Sequence, residues 1–132
     1  MVCLLDQGEY GNIHPTCKRP VGERLAEMAE HVLRGAGEVS PRAVRKYTEG
    51  NTAIVQMTAP VVTRDGKAPR LLEAAGEDGR YVPACALAAG DTLRVWAAEV
   101  EHPVYVRYAW TDWSDQVNLF GENGLPAEPF RL

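Results

Sequence analysis

Residues 92–110 read TLRVWAAEVEHPVYVRYAW and contain the two strongest predicted strands of the chain. Both Thr92–Val100 and Val104–Trp110 are rich in β-branched and aromatic residues, which favour extended structure. The tripeptide Glu101-His102-Pro103 separates them. This part of the chain is therefore predicted to be β-rich.

The period of two extends back from this stretch toward residue 37. Thr52–Thr58 alternates along the chain, and Asp65-Gly66 stands between two apolar runs, Val61–Thr63 and Leu71-Leu72. An Asp-Gly pair in that position is typical of a hairpin turn. We expect residues 37–132 to form an antiparallel, sandwich-like unit of five or six short strands.

The first 36 residues have a different character. The short apolar run Val2–Leu5 is typical of a strand buried on both faces, and Gly8–Lys18 contains too many breakers for regular structure. In Pro20–Arg34 apolar residues recur at steps of three and four, which predicts an amphipathic helix that stops at Gly35. One strand and one helix cannot close an α/β layer. We therefore expect a mixed α/β chain whose residues 1–36 are the C-terminal end of a larger α/β domain.

Composition excludes several classes of function. The chain has 132 residues, of which 45% are apolar and 24% charged, as expected for a folded domain. The formal charge of −4 offers no basic face to nucleic acid. No apolar run approaches the roughly 20 residues that span a bilayer, and the N-terminus lacks the pattern of a signal peptide. We expect a soluble chain with no nucleic-acid or membrane partner.

The cysteines predict neither a disulfide framework nor a metal site. Cys3, Cys17 and Cys85 are odd in number and widely spaced. Cys17 follows His14 by three residues and the two could supply a pair of zinc ligands, but no second pair lies nearby to complete four. We expect no metal and no cofactor.

The loop between the predicted strand and helix contains the strongest candidate for chemistry, His14. Ligands of open α/β sheets gather outside the carboxyl ends of the strands, and a histidine in that place suits a general base. The alternative is a loop histidine that caps the helix or binds backbone groups.

Two blocks of sequence carry a resemblance to a known family. They span 6–26 and 106–131. The matching residues are Asp6-Gln7-Gly8-Glu9, Ile13-His14-Pro15, Lys18 and Val21-Gly22-Glu23-Arg24-Leu25-Ala26 in the first, and Val106-Arg107-Tyr108-Ala109-Trp110, Asn118-Leu119-Phe120 and Gly124-Leu125-Pro126-Ala127-Glu128-Pro129-Phe130-Arg131 in the second. The chain resembles the C-terminal portion of the sialate O-acetylesterases, members of the SGNH hydrolase superfamily.

The resemblance implies a serine esterase that hydrolyses O-acetyl esters on sialic acid or related sugars. It implies that residues 1–36 end an SGNH-like α/β esterase domain, that residues 37–132 form an accessory sandwich, and that His14 is the general base. Neither Ser40 nor Ser114 lies in a glycine-flanked turn after a buried strand, as a nucleophile would. The expected partners are thus the O-acetylated sugar and the missing N-terminal part of the esterase, and the chain alone is expected to be inactive. Full-length relatives include secreted or periplasmic proteins, so the compartment stays open.

The acid that orients the histidine departs from the family pattern. Members commonly read Asp-Ile-His-Pro, whereas this chain has Asn12 two residues before His14. An asparagine carbonyl accepts the ring N–H but cannot stabilise an imidazolium by charge. Asp6 and Glu9 are the available carboxylates, so the candidate orienting groups are Asn12, Asp6 and Glu9.

A second class of function is a non-catalytic glycan-binding or interaction module. Its candidate platform is a set of aromatic residues, which could equally be core: Trp96, Trp110, Trp113, Tyr105 and Tyr108. A pure binding module has no need of a histidine in a loop before a helix, so that loop favours the enzyme.

Overall fold

In the computed structural model, which describes residues 1–132, one helix precedes ten strands. The elements are α1 (Arg19–Arg34), β1 (Ala43–Glu49), β2 (Thr52–Met57), β3 (Val61–Thr63), β4 (Leu72–Ala75), β5 (Val82–Pro83), β6 (Cys85–Ala89), β7 (Thr92–Trp96), β8 (Tyr105–Tyr108), β9 (Leu119–Gly121) and β10 (Phe130–Arg131).

The strands form two four-stranded sheets and one small two-stranded sheet, all antiparallel. The first large sheet has the order β1-β2-β7-β6, the second β10-β8-β4-β5, and β3 pairs with β9. The residues that predicted strands in 92–110 supply a strand to each large sheet, β7 and β8. The sequence period of two therefore correctly predicted the sandwich-like arrangement, but the chain has ten strands where five or six were expected.

The main apolar core lies between the sheets. On β7, the buried Leu93 and Val95 alternate with the exposed Arg94 and Trp96, so one face of the strand enters the core. The core cluster draws on every sheet: Ala53, Val55, Met57, Val61, Leu72, Ala86, Leu93, Val95, Val106, Tyr108, Ala109, Leu119, Ala127 and Phe130. This shared core holds the two sheets together.

The predicted hairpin at Asp65-Gly66 was wrong. The strand before it, β3, pairs with β9, and the strand after it, β4, pairs with β5 and β8. The buried side chain of Asn118 explains the difference, because it donates to Asp65 Oδ1 at 3.1 Å and accepts the Arg70 N–H at 3.0 Å. These tertiary hydrogen bonds fix the connection as a link between two sheets. A hairpin would instead need continuous pairing between the strands on either side of the turn.

The helix was predicted correctly, with Pro20 in its first turn and Gly35 after its end in the left-handed region, at φ 66°. Glu30 and Arg34 form an exposed ion pair of 3.3 Å on its polar side. Helix α1 lacks the length and the hydrophobicity that a membrane crossing requires.

The predicted mixed α/β class, with an SGNH-like strand, loop and helix at residues 1–36, was wrong. Val2–Leu5 forms no strand, and no parallel pair exists in the chain. Cys3 and Leu5 pack against the sandwich by their side chains, while Leu4 faces solvent. An apolar run of four residues fits irregular packing as well as a strand, since periodicity cannot separate the two at that length.

The shared core should determine stability. Leu93→Ala removes a fully buried side chain and leaves a cavity, and we expect it to lower the free energy of unfolding by about 3 kcal/mol in urea titrations. The matched control is Leu87→Ala on the adjacent strand β6, where the side chain is exposed and the loss should stay below about 0.5 kcal/mol. Equal losses in the two variants would contradict a core between the sheets.

Candidate functional site

The loop that contains His14 is closed by one carboxylate. Glu9 accepts hydrogen bonds from the backbone N–H of Thr16 at 2.6 Å, from the Thr16 hydroxyl at 2.7 Å and from the Asn12 amide at 2.9 Å. These bonds, those of Thr16 first, lower the pKa of Glu9 below its usual value. Glu9 is therefore ionised at neutral pH and ties the two ends of the loop together.

Within this loop the imidazole of His14 is exposed and forms no hydrogen bond or ion pair with the rest of the chain. Asn12 Oδ1 accepts the backbone N–H of His14 at 3.0 Å, so the amide orients the backbone of the histidine. The ring itself points to solvent, next to the exposed Ile13. Both ring nitrogens are thus available to a group from outside this chain.

The carboxylate of Asp6 faces the helix. It binds Arg24 through two hydrogen bonds of 2.6 and 2.9 Å, and the two side chains are only 9% and 12% exposed. Burial works to raise the pKa of Asp6, but the hydrogen bonds from Arg24 and Gln7 outweigh it and lower the pKa. Asp6 therefore joins the start of the loop to α1.

Of the four predicted site residues, the structure brings Glu9, Asn12 and His14 into one loop and directs Asp6 to Arg24. None of the three candidate orienting groups forms a hydrogen bond or an ion pair with the ring of His14. Which of them orients the ring in an active enzyme stays a prediction.

The burial and the hydrogen bonds of the two serines indicate structural roles. Ser40 is buried, and Ser114 Oγ accepts the Gln116 N–H at 3.0 Å in a turn. Neither hydroxyl forms a hydrogen bond with His14.

An aromatic contact that the sequence did not reveal supports the loop. The rings of Tyr10 and Trp113 lie 5.3 Å apart between centroids, at 52°. A Cβ at Gly8 would come within 2.8 Å of Trp113 Cδ1, so only glycine allows this close approach. The segment after β8 therefore braces the histidine loop.

The predicted aromatic platform does not exist as one surface. Tyr108 is core, Tyr105 belongs to the same strand, and Trp96 lies on the other large sheet. Trp110, which is half exposed, lines an open cleft of about 440 Å³, and Trp113 lines a separate cleft beside residues 1–5.

Charged groups and strained backbone surround the Trp110 cleft. Glu73 is a lining residue and forms a bidentate pair with Arg107 at 2.7 and 3.0 Å. Two other lining residues, Leu71 and Ala109, have φ of 63° and 50°, and the N–H of Ala109 donates to the carbonyl of Leu71 at 2.9 Å. Such strain costs about 1–3 kcal/mol per residue and clusters at binding sites.

The chain is similar to a solved structure whose activity is known. No family model and no curated protein matches the chain. A solved structure of a carbohydrate acetylesterase from Xanthomonas citri matches 96% of it with 38% identity and a TM-score of 0.88. The chain spans 31% of that enzyme, so it is similar in sequence and fold to about one third of a carbohydrate acetylesterase.

The Asp6–Arg24 pair should anchor α1. Asp6→Asn leaves the guanidinium half-satisfied, and we expect the amides of α1 to exchange roughly 30-fold faster at pH 7, the equivalent of about 2 kcal/mol, with the sandwich unchanged. Because the folded pKa of Asp6 is lowered, this anchoring is present above the usual value of 3.8 and is lost as the pH falls through the lowered pKa. Glu30→Gln, which breaks only an exposed pair, is the control for hydrogen-exchange mass spectrometry. Unchanged exchange in Asp6→Asn would show that other contacts anchor the helix.

Proposed function

We propose that this chain is the histidine-bearing part of a carbohydrate O-acetylesterase that acts on sialic acid or related sugars. The observation that carries the proposal is the match to the Xanthomonas citri carbohydrate acetylesterase over nearly the whole chain. At 96% coverage, the match takes in most of the residues before the sandwich as well as the sandwich itself.

The proposed reaction uses a serine from outside this chain. The serine oxygen attacks the acetyl carbonyl while one ring nitrogen of His14 takes the hydroxyl proton. The resulting tetrahedral oxyanion collapses, the bond to the sugar oxygen breaks, and His14 returns the proton to that oxygen. Water, deprotonated by His14, then releases acetate from the serine.

The loop geometry supports this role for His14. The hydrogen bonds of Glu9 close the loop and Asn12 holds the histidine backbone, so the residue sits on a defined support while its ring is free. A general base needs a ring nitrogen open to the hydroxyl and a second group on the other nitrogen. Asn12, Asp6 and Glu9 remain the candidates for that second group.

The proposal also assigns the two parts of the chain. Residues 1–36 would complete a catalytic unit whose serine lies in the N-terminal part of the enzyme, and residues 37–132 would form its accessory unit. Ser40 and Ser114 support this division, because burial and a turn hydrogen bond account for them.

A hybrid enzyme tests the proposal: this chain replaces the matching third of the Xanthomonas citri acetylesterase. His14→Ala should lower kcat for acetate release about a thousandfold with little change in KM, because a general base acts in the transition state. Asn12→Asp should keep or raise the rate if Asn12 holds the orienting position, because a carboxylate there stabilises the imidazolium by charge.

The control is His102→Ala, an exposed histidine after β7. Turnover close to that of the parent hybrid in His14→Ala would exclude the esterase mechanism. The isolated chain should hydrolyse 4-nitrophenyl acetate poorly, and strong turnover that Ser40→Ala or Ser114→Ala abolishes would place the nucleophile within this chain. Comparing O-acetylated sialic acid with other acetylated sugars tests the substrate.

A glycan-binding module is the second candidate, and the Trp110 cleft favours it. A half-exposed indole beside a carboxylate and a guanidinium offers a sugar one stacking face and polar partners. This function needs neither His14 nor a serine.

Titrating the isolated chain with neutral and O-acetylated oligosaccharides tests this candidate through the indole fluorescence. Trp110→Ala should weaken binding about fivefold, since a stacking contact is worth roughly 1 kcal/mol. Trp96→Ala, which alters an exposed indole on the other sheet, should leave the affinity unchanged. Absence of binding to every sugar would exclude the module, and binding combined with full turnover in the His14→Ala hybrid would favour it over the esterase.

A further inference from the structure

The helix α1 exposes an apolar surface that nothing in the chain covers. No residue of the helix is buried, and Leu25, Val32 and Leu33 are 55%, 72% and 79% exposed. A surface helix normally turns its apolar side to a core. Here Val21 and Met28 are half-buried against the chain, while Leu25, Val32 and Leu33 face solvent.

These exposed residues form one continuous stripe. Leu25, Ala29 and Val32 follow each other at steps of four and three, and Leu33 stands four residues after Ala29. The exposed pairs Arg19–Glu23 and Glu30–Arg34 lie on the opposite side. Arg24, at the edge between them, holds the helix to Asp6. The apolar stripe of the helix is therefore available to a partner outside the chain. We call Leu25, Ala29, Val32 and Leu33 the helix face.

The loop before the helix adds to this uncovered surface. Tyr10 and Ile13 are almost fully exposed, and His14 is separated from the start of α1 by only four residues. Five residue steps span at most roughly 18 Å of chain to Arg19, and Leu25 lies about 9 Å further along the helix, so a body of domain size can cover the helix face and reach the imidazole.

We propose that the helix face docks against the serine-bearing remainder of the esterase and thereby brings the serine to His14. This inference rests on the proposed function. The Xanthomonas citri enzyme supplies the argument for the occupant: 96% of this chain, enough to include the helix, matches only 31% of that protein. The other two thirds of such an enzyme are available to cover the helix face. Both charged pairs of the helix are complete on the other side, so apolar contact drives the docking.

Thiol labelling tests the docking directly. Leu25→Cys and Val32→Cys are made both in the isolated chain and in the hybrid enzyme, and their rates of reaction with N-ethylmaleimide are measured by peptide mass spectrometry. We expect at least tenfold slower labelling in the hybrid at both positions. Val44→Cys on β1 is the matched control, because Val44 is half exposed on the sandwich, and the exposed native Cys85 is an internal reference. Both should react equally in the two proteins.

Equal labelling of the helix face in the isolated chain and the hybrid would overturn the proposal. So would slow labelling in the isolated chain that speeds up on dilution, because the occupant would then be a second copy. If the helix face is protected in a hybrid that releases no acetate, the docking proposal stands and the esterase proposal fails. If the hybrid releases acetate but the helix face is not protected, the esterase proposal stands and the docking proposal fails.

A second measurement does not depend on the folding of the hybrid. The double variant Leu25→Ser/Val32→Ser of the isolated chain should keep the urea midpoint of the parent and bind less of a hydrophobic dye. A clear fall in the midpoint would show that the stripe packs within the chain itself, which would overturn the proposal.

Discussion

The bidentate bond between Asp6 and Arg24 is the constraint on which the geometry of the candidate site depends. Helix α1 buries none of its residues fully, and of its larger apolar side chains only Val21 and Met28 are half-buried, so its apolar packing on the rest of the chain is limited. Arg24 reaches both the Asp6 carboxylate and the carbonyl of Cys3, at 2.9 Å. Cys3 is itself buried, with its thiol 3.6 Å from the carbonyl of Ala127. A chain of polar contacts thus leads from the helix to the core and determines where the His14 loop begins.

The other end of the loop depends on the segment that follows β8. Trp113 packs on Tyr10 and against Gly8, and the strained Ala109 lies four residues before it. The backbone N–H of Ala109 also donates a hydrogen bond to the carbonyl of Leu71, the residue before β4. The same segment therefore positions both Trp110 and the support of the histidine loop. The His14 loop and the Trp110 cleft therefore share one supporting segment, although each candidate site uses its own side chains.

Sequence reasoning succeeded where a period extended over many residues. The helix of Pro20–Arg34 and the strands of 92–110 were correct, because each has enough residues to distinguish 3.6 from 2. It failed at Val2–Leu5 and at Asp65-Gly66, where the outcome depends on distant partners such as Asn118. The Asp6–Arg24 pair spans 18 residues and the Tyr10–Trp113 contact more than 100. Only the fold reveals such contacts, and no local pattern signals the positive φ of Leu71 and Ala109.

The free ring of His14 follows from how the loop is stabilised. Glu9 accepts hydrogen bonds from Thr16, and Asn12 accepts one from the backbone of His14. These bonds fix the position of His14 without fixing the direction of its imidazole. A neutral amide at position 12 adds no charge that would hold a protonated ring. Under the proposed docking, the ring would become oriented when the helix face is covered, with Asn12, Asp6 or Glu9 as the candidate group on its second nitrogen. In that arrangement the loop would supply the position of the base and the docked body would supply the nucleophile.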